Sequence, residues 1–194
     1  MTFQLSEKAK QLIPKARIVS FARWQGLHSA EIIQRFQAAD DERRYLSDAD
    51  LASLRPDGPG YPQAARILRE NAPEIVADAR GQVLAQYPGI CESGGELYPP
   101  ARAEACWRDF WHFLRCITYG IAGGTTEFTS TEGLENMELL YQELRVPLGA
   151  MVLGLEYLKA AGLQRVEPQL RDRLAPYFDC LIDEMKRFQP QPSA

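Results

Sequence analysis

The sequence has no run of about 18 consecutive apolar residues, so no segment reads as a membrane span. Its opening, MTFQLSEKAKQLIPKARIVSF, lacks the basic-then-apolar order of a secretory signal. There is no CxxC pair. The four cysteines, Cys91, Cys106, Cys116 and Cys180, read neither as a zinc site nor as a disulfide framework. The expected compartment is therefore reducing cytosol, with no metal. P-loop and GxGxxG patterns are missing. Histidine is scarce. Of His28 and His112, the second lies six residues past Cys106, about 240° round a helix, which leaves no nucleophile–base pair and no expected catalytic residue. Nor is there a basic excess: Lys and Arg total 22 against 26 Asp and Glu, for a net charge of −4, so no nucleic-acid partner is expected.

What is present fits one soluble globular domain: 194 residues, 45% apolar and 25% charged. The charge is uneven. Lys8, Lys10, Lys15, Arg17 and Arg23 face Glu7 alone in residues 1–28, so this arm carries +4 on a body of −8. Such an arm docks on an acidic neighbour, a linker or an anionic surface, or else folds as a short helix on its own protein. Both readings stay open, and its apolar residues, Phe21 and Trp24 among them, argue against complete disorder.

Helical periodicity runs through the rest. Ser29 caps a helix bearing Ile32, Ile33 and Phe36, and Ser47 with Asp50 resembles a capping box. Arg55-Pro-Asp-Gly-Pro-Gly60 is the strongest breaker. One helix is expected over 62–86, and a long one from the loop at 92–100 to Gly123-Gly124. Others follow near 133–144, 147–162 and 167–188, with Pro147 in a first turn. The expected fold class is all-α, with a basic extension at 1–28, the main domain at 29–188 and a frayed tail at 189–194.

The long helix holds the chemistry. Arg102, Cys106, Asp109, Phe110 and Phe113 share one face at i−4, i, i+3, i+4 and i+7. A thiol, a guanidinium and a carboxylate beside aromatic rings suit a planar ligand carrying acid groups. The same spacing also fits a buried cysteine that packs as a small hydrophobe, flanked by surface charges. Arg108 lies about 200° from Cys106, and periodicity alone does not bring it to that face.

The stretch GGELYPPARAEACWRDFWHFLRCITYGIAGG resembles the phycobiliproteins, with Cys106, Arg108 and Asp109 in their Cys-x-Arg-Asp positions. Gly94, Gly95 and Tyr98 fall in the preceding loop, and Leu114, Arg115, Thr118, Tyr119, Gly120 and Gly123 complete the match. The segments at 39–47, 139–159 and 176–185 resemble the family's linking, Met-Tyr and final Tyr-Phe-Asp segments in the right order. The resemblance implies a globin-like bundle preceded by a helical pair, as in phycocyanin. It further implies a linear tetrapyrrole (a bilin, with phycocyanobilin the expected one) joined by thioether to Cys106. Asp109 would contact its inner pyrrole nitrogens and Arg108 a propionate, with Arg102 a second partner. Alpha- and beta-type subunits would pair with Asp40, Arg44 and Tyr45 on one side, and Arg115 and Tyr119 on the other. The implied role is light harvesting in or beside a phycobilisome core, at the cytoplasmic face of a thylakoid or in plastid stroma. The alternative is a paralogue without pigment that serves as a structural or regulatory partner. The chain departs from the pattern at Glu96, Pro99, Trp107, Gly124 and the run Trp111-His112-Phe113.

Overall fold

The structure, a computed structural model, describes residues 5–188; the tail at 189–194 lies outside them. Among the described residues nine α-helices are present: α1 (Glu7–Leu12), α2 (Ala30–Asp41), α3 (Asp48–Ala52), α4 (Pro62–Glu70), α5 (Ala72–Gln86), α6 (Pro100–Gly123), α7 (Thr131–Leu144), α8 (Leu148–Arg165) and α9 (Arg171–Lys186). There is no extended strand among them, only isolated bridges such as Val19 with Thr129. The all-α expectation is met.

Local chemistry sets most boundaries. The Ser29 hydroxyl accepts from the Ile32 amide at the start of α2, and Ser47 with Asp50 closes a full capping box on α3. Gly124, at φ 73, ends α6 in the left-handed region. The expected helix over 62–86 is in fact two. Asn71 leaves helical geometry (φ −101, ψ 10), and its side-chain Nδ2 donates to the Ile67 carbonyl at 2.8 Å. Pro73 follows in the first turn of α5, where its missing N–H costs nothing; a continuous helix would press its ring on the carbonyl of Arg69. Pro147 stands just before α8 rather than within it.

Helix α6 is the centre of the molecule, packed by α4, α5, α8 and α9. From Phe113 to Gly123 every residue of it is buried. Close approach depends on small residues. A Cβ on Gly154 of α8 would lie 2.0 Å from Cζ of Phe110, so that ring seats directly on the α8 backbone. Likewise a Cβ on Gly123 would lie 2.2 Å from the Trp24 ring.

The second contact shows where the arm goes. Trp24 is fully buried, and its indole donates to the Glu127 carbonyl at 2.9 Å. Ile18, Val19 and Phe21 join the same core. Four of the arm's five cations pair with carboxylates on this chain: Lys8 with Glu143, Lys10 with Glu7, Arg17 with Asp40 and Asp41, and Arg23 with Glu127. Over residues 5–28 the arm thus folds on its own protein.

Candidate functional site

Beside α6 lies a cavity of about 640 Å³. Helix α6 lines one side with Arg102, Cys106, Arg108, Asp109, His112 and Phe113, and α7 lines the other with Met137, Leu140, Tyr141 and Leu144. The end of α2 adds Asp40 and Arg43. All four residues expected to hold a ligand therefore meet in one space. Arg108 does so despite its helical angle, as the length of its side chain allows.

The electrostatics of the four differ. Burial pushes the Cys106 thiol up to about 12; the Asp109 charge adds to this and Arg102 opposes it. Cys106 is thus a neutral thiol at rest, not a standing thiolate. Burial also raises the Asp109 carboxyl to about 6, offset in part by Arg108 and by the Tyr141 hydroxyl. That hydroxyl is buried and closes no hydrogen bond of ordinary geometry. Arg102 is anchored by donating to the Arg145 carbonyl. His112 is pushed down to about 4 by burial, then by Arg115, Arg43 and Arg108, so it adds no charge. Five arginines against two aspartates line the space, which suits an anionic ligand.

Four of the residues expected to meet a partner subunit, Asp40, Arg44, Arg115 and Tyr119, are linked inside this chain, and the fifth, Tyr45, packs on Trp111. Arg115 Nη1 donates to Asp40 Oδ1 at 2.9 Å and to the Tyr119 hydroxyl at 2.6 Å. Tyr119 in turn donates to the Arg44 carbonyl. The Tyr45 hydroxyl donates to the Trp111 carbonyl at 3.1 Å, with the two rings edge to face at 4.8 Å. Arg44 pairs with Asp50 at 2.7 Å. A reversal at Arg43, in the left-handed region at φ 53, follows α2 and lets this network close on α6.

Residue-by-residue reading missed Arg17, Arg43 and Tyr141 as cavity residues. Tyr141 had a signal: Met137 and Tyr141 stand four apart, on one face of α7. Arg17 and Arg43 had none, since both reach the cavity through tertiary packing.

The phycobilisome protein family matches residues 34–185. The chain is 33% identical over 150 residues to allophycocyanin subunit alpha-B of Synechocystis sp., covering 76% of this chain and 93% of that protein. It is 35% identical to allophycocyanin subunit alpha-B of Nostoc sp. and 31% identical to the alpha-B chain of Porphyra purpurea, with the same coverage. An all-helical chain, matched over most of its length and carrying the Cys106–Asp109 motif on its central helix, belongs to the phycobilisome protein family, which is globin-like and not enzymatic.

Proposed function

We propose that this protein carries a linear tetrapyrrole on Cys106 and absorbs light and passes on excitation in or beside the phycobilisome core. One observation carries the reading: Cys106, Asp109, Arg102 and Arg108 converge on a cavity of about 640 Å³, within the usual range for a cofactor pocket.

The residues present fit such a group. Cys106 would hold it through its sulfur, as a thioether formed by addition of the thiol with no leaving group. Asp109 offers oxygen acceptors to pyrrole N–H groups, and its charge favours a cationic chromophore. Arg102 and Arg108 offer N–H forks to propionates. The Tyr141 hydroxyl lies beside Asp109 on the cavity wall, placed to hydrogen-bond a ligand. Phe113 and Leu140 help to exclude water. A bound bilin supplies the visible absorption.

Among the described residues no helix is long and apolar enough to cross a membrane. A peripheral place at the thylakoid surface, among other phycobiliprotein subunits, is part of this proposal.

Co-expression with bilin synthesis tests the reading. A blue or blue-green product whose colour survives denaturation is expected, and Cys106→Ala is expected to lose the covalent pigment. A colourless wild-type protein would favour the structural paralogue. Pigment still covalently bound in Cys106→Ala would refute the attachment site.

A further inference from the structure

Residues 5–18 lie outside the stretch that matches the family, yet they form a wall of the ligand cavity. Leu5, Ile13, Ala16 and Ile18 supply apolar surface there, and Arg17 supplies a cation. Two latches hold this wall. Helix α1 packs on α7, with the Ser6 hydroxyl donating to Glu143 at 2.7 Å and Lys8 pairing with Glu143 at 3.2 Å. At the other end Arg17 reaches Asp40 at 2.5 Å and Asp41 at 2.6 Å.

The packing of α1 is local. Ala9 and Leu12 are buried, but they stand apart from the contiguous core that holds Ile18, Phe21 and Trp24. The first latch can therefore open while the second and the core stay formed. Its ion pair is at the surface and weakly held, so most of its hold comes from Leu12 and Ala9.

We propose that residues 5–18, outside the family-matched stretch, are ligand-positioning residues, an intrachain wall that shields Cys106 and confines the group bound beside it. That this group is a bilin rests on the function proposed above; the shielding does not. A wall supplied in cis needs no neighbouring subunit to dry this side of the cavity, so a single chain holds its ligand rigid.

The test uses the full-length protein without bilin. Cys106 is alkylated with N-ethylmaleimide, and mass spectrometry assigns the modified residue. Leu12→Asp, a residue outside the cavity lining, is expected to speed alkylation of Cys106 by about tenfold with helix content unchanged, as for a local opening. Lys8→Glu is expected to speed it by about two- to threefold, from charge repulsion with Glu143. Adding Glu143→Lys to Lys8→Glu should restore the wild-type rate; this pair decides the matter should Leu12→Asp fail to fold. A Cys106 rate equal to wild type in the folded variants overturns the proposal. In bilin-producing cells Leu12→Asp should keep covalent pigment but lose several-fold in emission per absorbed photon. A colourless wild-type protein would sink the bilin reading alone, since the alkylation rates stand without pigment.

Discussion

Arg115 of α6 donates to Asp40 of α2 at 2.9 Å, with both side chains buried and Arg17 bonded to the second oxygen of the same carboxylate. Asp40 therefore holds together the central helix, the α2 end and the N-terminal wall. Removing it leaves Arg115 in a buried site where its Nε already has no partner. Asp40→Ala is expected to destabilise the protein by about 3 kcal/mol, read from urea unfolding. A change within about 0.5 kcal/mol would mean that this network does not close within one chain.

Asp109 gives a pH signature in the protein without ligand. Its folded pKa, about 6, lies above the ordinary 3.8, so between these values the folded state holds more proton than the unfolded state. Its contribution is most favourable below about pH 4 and is lost as pH rises through 6. Asp109→Asn is thus expected to be more stable than wild type at pH 7.5, by about 1–3 kcal/mol, with the gain shrinking toward pH 4. Equal stability at both pH values would remove burial as the cause.

His112 works in the opposite sense over an overlapping window. Its folded pKa, about 4, lies below 6.5, so the unfolded state takes up the proton first. The stability it supports is present above about 6.5 and is lost as pH falls toward 4. His112→Gln should flatten that limb of the stability–pH curve. A limb as steep as in wild type would assign the loss to other groups.

Gly154 sets the seat of Phe110, the residue after Asp109. A methyl there would overlap the ring, since a Cβ would lie 2.0 Å from Cζ. Gly154→Ala is expected to cost about 1–3 kcal/mol by overpacking. In pigmented protein it should also shift or broaden the visible band, because α6 carries both Phe110 and the ligand-facing residues. An unchanged melting temperature would show that α8 yields freely.

Much of this was legible in the sequence, for identifiable reasons. Caps and breakers act over three or four residues, so Ser29, the Ser47–Asp50 box and Gly124 could be read from neighbours alone. The Cys106–Asp109 face followed from helical spacing. The division at Asn71 was missed because the apolar stripe continues across it; Pro73 was the available sign. Arg108 was displaced by an ideal angle that ignores the reach of its side chain. The N-terminal wall was beyond sequence reading, since Ile13 and Arg17 come to the cavity of Cys106 only through tertiary packing across about 90 positions. Of the five residues assigned to a subunit contact, Asp40, Arg44, Arg115 and Tyr119 are linked within this chain, and charge and hydroxyl chemistry do not say whether such groups also meet a partner.

The proposed function depends on covalent loading at Cys106. The direct measurement is the mass of the Cys106 peptide from protein made in bilin-producing cells, denatured and digested. The expected result is a peptide heavier by one intact bilin, with visible absorption in the same fraction. An unmodified Cys106 peptide, from protein with no visible band, would contradict it.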